Sequence, residues 1–259
     1  MYYFRTTLFL LLLPCFLFSQ QQLKKKTVAE TNPTKVSFGL HIGLSSSDIS
    51  ANRIAFPATG VDLSRLDRQQ ATNGRFGLLL LIHLSEDYGL ETGLIYEKLG
   101  LKAEGLYDPE LMEYNLKNSS STHFSFEYLI FPLLFKRNLP LQEKMQLSFQ
   151  VGTYLALLQS SSYGFEVTDL IMNPDGSFRE SMRKTGISLD DYSRKLDIGM
   201  RLQAGVERSI SETASLFSYV YYSRGLRTID DFPETNLEGG SEGMNRVWGL
   251  SFGGYFKMK

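Results

Sequence analysis

The chain has 259 residues, and its 27 lysines and arginines against 28 aspartates and glutamates give a formal net charge of −1 at pH 7. This balance leaves no basic surface for nucleic acid, so no nucleic-acid partner is expected. The single cysteine, Cys15, lies in the apolar N-terminal stretch, so the rest of the chain has no disulfide, thiolate metal site or cysteine nucleophile.

The first 19 residues have the organisation of a secretory signal peptide. Arg5 supplies a positive charge, an apolar stretch rich in Leu and Phe follows it, and Ser19 offers a small residue for cleavage. The apolar stretch of about 13 residues is shorter than the roughly 18 to 20 that a membrane-spanning helix needs. Lipid attachment at Cys15 is disfavoured because Pro14 stands where a small residue is wanted. We therefore predict a signal peptide over residues 1–19.

A polar segment over residues 20–35 follows, and we predict that it forms a flexible periplasmic lead-in. The domain predicted after it, residues 36–259, contains segments that alternate between apolar residues and small or polar ones, which is the period of a β-strand. In one segment Phe124, Phe126, Tyr128 and Ile130 face away from Glu127. The eight predicted strands are 36–45, 74–84, 89–99, 122–135, 145–159, 195–209, 214–227 and 246–257.

Short and long connections alternate along these strands, and the long ones are 46–73, 100–121, 160–194 and 228–245. This order predicts an all-β fold, an eight-stranded antiparallel transmembrane up-and-down β-barrel with short periplasmic turns and long outer loops. Both termini would then lie in the periplasm and the barrel in the cell outer membrane. A soluble β-sandwich or lipocalin-like barrel also alternates. Aromatic residues near strand ends favour the membrane, namely Tyr96, Phe124, Trp248 and Phe256.

Three short motifs carry a family resemblance. They are the opening strand Phe38–Leu44, the run Tyr128–Lys136 with its Pro-Leu-Leu core, and the Gly-x-Tyr strand Phe149–Leu155. The chain resembles the porin-family, or PorT-like, outer-membrane β-barrel proteins of Bacteroidota. The resemblance implies a barrel without catalytic residues, and named members of the family assist the type IX secretion and gliding apparatus.

The lumen of an eight-stranded barrel is only wide enough to be filled by side chains. Buried charges there must be paired or hydrogen-bonded. We predict a structural polar network in which Arg201 contacts at least one of Glu91, Glu127 and Glu207. The alternative interpretation of these charges is a gated ion path. The inward set is predicted as His41, Glu91, Glu97, Glu127, Gln150, Arg201, Gln203 and Glu207.

Catalytic, cofactor and metal sites are not predicted. His41, His83 and His123 lie on three different strands without metal-ligand spacing, and no GxSxG motif is present. The acidic loop 228–245 is explained as well by cations that bridge lipopolysaccharide as by a calcium site. Three functions remain open at this stage: a structural or interaction barrel, a small-solute channel, and a barrel enzyme with its catalytic groups at the outer rim.

We expect the first of these functions, and no enzymatic activity. The expected partners are outer-membrane lipid and lipopolysaccharide, with envelope or secretion proteins as possible protein partners. The sequence does not specify an oligomeric state.

Overall fold

A computed structural model of the chain describes residues 35–49, 67–104, 119–172, 178–191, 193–229 and 243–258. The predicted signal peptide, nearly all of the predicted lead-in and the centres of the predicted loops 46–73, 100–121 and 228–245 lie outside these residues. No helix in the described part of the chain is long and apolar enough to cross a membrane.

The described residues form nine antiparallel strands. Eight of them close into a ring in the order β1-β2-β3-β4-β5-β7-β8-β9, with β9 paired back to β1. Closure leaves no free sheet edge in the ring, as a bilayer requires. The predicted eight-stranded all-β barrel is therefore confirmed. The strands are β1 (Lys35–Ile49), β2 (Asp67–His83), β3 (Tyr88–Glu104), β4 (Ser119–Gln142), β5 (Met145–Met172), β6 (Phe178–Ser188), β7 (Leu196–Ser209), β8 (Ala214–Gly225) and β9 (Asn245–Lys257).

The two ends of the barrel differ. Three tight connections, residues 84–87, 143–144 and 210–213, lie at the same end as Lys35 and Met258. We call this the turn end, and the opposite end the loop end. The alternation of short and long connections thus follows the prediction. The turn between β4 and β5 is shorter than the predicted 138–144, because both strands continue almost to the corner.

The predicted loop 160–194 was wrong, because most of it is a β-hairpin. β5 continues to Met172, and β6 returns beside it in a register that runs from Met172↔Phe178 to Ser162↔Ser188. β4 supports the other side of β5 as far as Ser119↔Thr168. The serine-rich run 160–162 was interpreted as a loop edge, but in the structure it is the middle of a long strand.

Asp190 fixes the base of this hairpin. Its carboxylate accepts hydrogen bonds from the backbone amide of Ser161 at 2.6 Å and from the hydroxyls of Ser161 at 3.1 Å and Ser188 at 3.0 Å. Burial alone would raise the pKa of Asp190, but these hydrogen bonds to its charged form hold that pKa below its ordinary value. The connection from β6 back to the barrel is therefore tied to β5.

The outer face of the ring is apolar. Leucine, isoleucine, phenylalanine and valine side chains that point away from the lumen are about half exposed, an arrangement that a water-soluble protein avoids and a lipid-facing band requires. The band is the finding that separates the membrane barrel from the soluble alternative. Representative members around the ring are Phe38, Ile42, Leu78, Leu133, Phe149, Leu202, Val220 and Phe252.

The predicted facing of β4 was wrong. Phe124, Phe126, Tyr128 and Ile130 are buried in the barrel interior, and Glu127 lies on the outer surface. Both faces of this strand are apolar, because Phe131, Leu133 and Phe135 form its lipid-facing side. Alternation showed that two faces exist, but it could not show which of them meets lipid. Of the four predicted interfacial aromatics, Phe124 is thus internal, whereas Trp248 and Phe256 are exposed on the outer face and Tyr96 is half-buried there.

Candidate functional site in the barrel lumen

Inward-facing glycines make room for large side chains in the lumen. A Cβ atom at Gly199 would overlap the ring of Tyr154, and one at Gly249 would overlap the ring of Tyr221. These close approaches explain why small residues alternate with apolar ones on β7 and β9. The hydroxyls of Tyr219, Tyr221 and Tyr255 reach carboxylates of other strands, and the Tyr154 ring lies beside Arg201.

The first charged cluster is centred on Glu97 of β3, which is 0% exposed. Arg201 of β7 lies 3.3 Å from its carboxylate and Arg75 of β2 lies 3.8 Å from it, so one anion serves two guanidinium groups. The hydroxyl of Tyr221 donates to Glu97 at 2.6 Å, and Arg201 Nε donates to Ser223 Oγ at 2.7 Å. The guanidinium of Arg75 also lies 4.0 Å from the centroid of the Tyr221 ring. Four strands of the ring are thereby joined through one carboxylate.

A second cluster lies nearer the turn end. Lys136 of β4 forms a buried ion pair with Glu207 of β7, and the hydroxyl of Tyr219 donates to the same carboxylate. Gln146 Nε2 donates to the second oxygen of Glu207 at 2.6 Å. The Lys136 ammonium lies 4.5 Å from the centroid of the Tyr255 ring, within the range of a cation–π contact. Every oxygen and nitrogen of this ion pair therefore has a partner in the lumen.

A third group holds Glu91 with neutral donors. Gln203 Nε2 donates to Glu91 at 3.2 Å and to Gln150 Oε1 at 2.6 Å. The hydroxyl of Tyr255 donates to the other oxygen of Glu91. Because the Tyr255 ring also faces Lys136, this group adjoins the second cluster. Glu91 and Gln203 also line a cavity together with Arg75 and Arg201 of the first cluster.

The structure places four of the five predicted network residues in the lumen, namely Glu91, Arg201, Gln203 and Glu207. Glu127 lies outside it, where its carboxylate accepts a hydrogen bond from Tyr96 at 2.7 Å and pairs with Lys98 at 3.4 Å. The predicted partners of Arg201 were also wrong, since Arg201 pairs with Glu97 instead. Glu127 was misplaced because the facing of β4 was reversed.

Sequence reasoning missed Arg75, Lys136 and Asp197, which are all buried. Arg75 lies in the middle of β2, directly after an irregularity in the pairing of β2 with β3. Lys136 ends the Tyr128–Lys136 run and was not assigned to a face. Asp197 was placed on the polar face of its strand, and the structure shows Asn245 Nδ2 donating to it at 3.3 Å.

Little empty space remains among these groups. One cavity is lined by His41, Arg75, Glu91, Arg201 and Ser251 among others, and the volume open to the centre of a water molecule there is about 10 Å³. That is room for about one water. Toward the loop end the lumen filling becomes apolar, and a single buried cluster includes Leu99, Leu101, Phe126, Leu158, Leu189, Ile229 and Val247.

The three histidines do not form a common site. His41 is buried beside the cavity, His123 packs against Gly164, and His83 shares a hydrogen bond with Ser37 at 2.8 Å. The Ser37 hydroxyl belongs to a residue that is only 1% exposed, so a substrate cannot reach it. Within the described ranges no cluster of three or more histidine, cysteine, aspartate or glutamate side chains is arranged to hold a metal ion.

Comparison with known families agrees with this geometry. The model of the family described as "Outer membrane protein beta-barrel domain" matches residues 18–231, well over half of the chain. The chain belongs to this family. It is an outer-membrane β-barrel protein of the small, eight-stranded type, and the matched range ends before β9, which completes the ring.

Solved structures of similar barrels are distant in sequence. Neisserial surface protein A is 12% identical, with 86% of this chain and 97% of that chain covered and a TM-score of 0.39. The outer membrane protease OmpT from Escherichia coli is 9% identical, with 90% and 99% covered and a TM-score of 0.43. OprH from P. aeruginosa is 16% identical, with 85% and 99% covered and a TM-score of 0.29. A search of curated proteins found no sequence match.

Proposed function

We propose that this barrel is a non-conducting structural or interaction protein of the outer membrane, and that it has no catalytic activity. The observation that carries the proposal is the filled lumen. Buried ion pairs occupy its middle, and buried apolar side chains continue the filling to its loop end. The cavity lined by Arg75, Glu91 and Arg201 has room for about one water. The function then resides on the outer surfaces and on the β5–β6 hairpin.

An ion crossing this lumen would have to separate groups that stabilise one another. Glu97 holds two guanidinium groups, and Glu207 holds an ammonium group together with two neutral donors. Breaking a buried pair leaves an unpaired charge in a medium of low polarity, which costs several kcal/mol. The apolar cluster beyond them would also have to admit water. Both features oppose conduction in the native state.

Planar-bilayer recordings test this proposal against the alternative of a small-solute channel. We expect barrel that has been refolded and checked by heat-modifiable migration on gels to insert without discrete conductance steps. As a positive control, the double variant Phe126→Ala/Leu101→Ala removes two side chains from the apolar cluster. Discrete steps in the wild-type protein, altered in size by substitution of Arg75 or Arg201, would instead establish a channel.

We further propose that the turn end and both termini face the periplasm. The support is that the three tight turns share one end, whereas the long connections and the β5–β6 hairpin belong to the other. The chain beyond Cys15 lacks cysteine, so single introduced cysteines are informative. A membrane-impermeant maleimide added to intact cells should label Asp191→Cys, an exposed position between β6 and β7 at the loop end, and spare Glu212→Cys, an exposed position in the turn between β7 and β8. The opposite labelling pattern would show that the turn end faces the outside of the cell.

A narrower proposal rests on the resemblance of the Tyr128–Lys136 run to PorT-like barrels of Bacteroidota. In this proposal the barrel is an accessory of a type IX-like secretion or envelope machine and binds protein partners through its projecting parts. The test is the extracellular proteome of a strain that lacks the gene. Selective loss of secreted proteins, restored by the intact gene, is the expected result, and an unchanged secretome would remove this role.

A further inference from the structure

Two arginines face one another on the outer surface of the barrel. Arg224 of β8 and Arg246 of β9 are direct partners in the antiparallel register, and both are exposed. Side chains that are directly opposite in an antiparallel pair have Cβ atoms about 4.5–5.5 Å apart, and like charges at such positions are destabilising. An anion that lies against both side chains would remove this repulsion.

The residues below this pair indicate its depth in the membrane. Toward the turn end, the preceding outward pairs are Tyr222↔Trp248, with ring centroids 4.4 Å apart, and Val220↔Leu250. The order is thus aliphatic, aromatic and cationic. Barrel aromatics form girdles at the bilayer interface. The arginines lie two residues farther along, which at about 3.4 Å per residue and a tilt near 40° is roughly 5 Å closer to the loop end. That displacement brings them to the level of lipid headgroups.

The local charge is not neutralised by the strands on either side. Met200 of β7 is opposite Arg224, and Asp48 of β1 is opposite Arg246. The Asp48 carboxylate accepts a hydrogen bond at 2.7 Å from the amide of Ile49. Among the residues that the structure describes, no carboxylate lies within ion-pairing distance of either guanidinium group. Even with Asp48 counted, this patch carries one excess positive charge.

The other side of the barrel offers a contrast within the same molecule. Tyr96 of β3 packs with Phe76 at 5.2 Å, and Lys98 lies two residues farther along the same outward face. Here the cation has a protein partner, because Glu127 lies 3.4 Å from the Lys98 ammonium. The order of aromatic and cationic residues along the outward face recurs there, but Lys98 has a carboxylate partner, whereas Arg224 and Arg246 have no ion pair with any residue that the structure describes.

We propose that Arg224 and Arg246 bind a phosphate group of lipid A in the outer leaflet, with an acyl chain along Trp248 and Leu250. Guanidinium groups are suited to phosphate because each presents parallel N–H donors to two oxygens. The surface directly below the arginines is formed by Tyr222, Trp248, Val220 and Leu250, and this apolar surface favours a phosphorylated lipid over free phosphate. This site goes beyond the proposed function. It rests on the proposed orientation of the barrel only for the choice of the outer leaflet.

Trp248 is the only tryptophan in the chain and lies beside the site, so its fluorescence reports binding directly. The experiment titrates refolded barrel in detergent micelles with diphosphoryl lipid A. The wild-type protein should show a saturable change in emission. In the double variant Arg224→Gln/Arg246→Gln the apparent Kd should rise roughly tenfold or more, because both charge-assisted contacts are lost. Heat-modifiable migration on gels verifies that the double variant is folded. If the double variant does not fold, the single variants Arg224→Gln and Arg246→Gln are titrated with lipid A instead.

Lys98→Gln/Lys102→Gln is the matched control, since it removes the same charge from the outward face of β3. It should bind lipid A as the wild-type protein does. The proposal is overturned if the double arginine variant retains wild-type affinity, or if lipid A stripped of phosphate gives the same titration. Competition by inorganic phosphate at equal concentration would identify a free-phosphate site instead. No response in the wild-type protein would also overturn the proposal.

Discussion

Replacing Glu97 with leucine is expected to lower the free energy of unfolding by about 3–5 kcal/mol, the usual cost of removing one partner from a buried ion pair. The effect should lie at the upper end of this range because Glu97 holds both Arg75 and Arg201, and the substitution leaves two guanidinium groups without an anion. Tyr221 also loses the acceptor of its hydroxyl. Equilibrium unfolding in urea, followed by Trp248 fluorescence in micelles or vesicles, measures the change.

Glu127→Gln is the control for this prediction. Glu127 lies on the neighbouring strand but faces outward, with its side chain 31% exposed and paired to Lys98. An exposed ion pair contributes about 0–1 kcal/mol, so this substitution should change the unfolding midpoint little. Equal effects of the two substitutions would contradict the assignment of Glu97 to the centre of the lumen network. A second check is Arg75→Met/Glu97→Leu, which leaves one unpaired guanidinium group instead of two and should recover part of the lost stability.

Replacing Phe126 with alanine is expected to destabilise the barrel by about 3–5 kcal/mol, the range for a buried aromatic side chain cut back to Cβ. Phe126 is 0% exposed and lies in the apolar cluster at the loop end of the lumen. The substitution leaves a cavity there, because the rigid strands around it cannot close in. Unfolding in urea measures the loss, and the rate of hydrogen exchange in β4 should rise with it.

Phe131→Ala provides the comparison on the same strand. Phe131 is 38% exposed and faces lipid, so its truncation creates no internal cavity and should cost much less. A larger effect at Phe131 than at Phe126 would show that the interior and exterior faces of β4 are exchanged. The pair of variants therefore tests which face of β4 points into the lumen. The sequence pattern had assigned this facing the wrong way round.

The closed ring was predictable because its evidence is repeated. Period-two alternation recurs in strand after strand, and the alternation of connection lengths is independent of it. The β5–β6 hairpin could not be predicted in the same way. Tyr163, Phe165 and Val167 do alternate with small or polar residues, but this signal is short. The serines at 160–162 before it and the charged residues of β6 are typical of a loop.

The lumen network was predictable where a polar residue interrupts an apolar strand, as Glu91, Arg201 and Glu207 do. It was not predictable where both faces of a strand are apolar. Arg75 follows an irregular part of β2, and Glu127 was assigned to the interior because its strand has aromatic residues on the opposite face. Those aromatics fill the loop end of the lumen, and a single sequence does not distinguish filling of this kind from a lipid-facing band.

The 28 residues of β5 extend over roughly 90 Å at about 3.3 Å per residue, far more than a bilayer crossing requires. The same strand pairs with β7 in the ring, with β6 in the hairpin, and with β4 along most of its length. β5 runs from the ring into the hairpin as one strand, with a single register irregularity at Gln159 in its pairing with β4. A force that pulls the hairpin along the direction of β5 therefore loads many parallel backbone hydrogen bonds in shear at once, and the load reaches the turn end through the covalent backbone of a single strand.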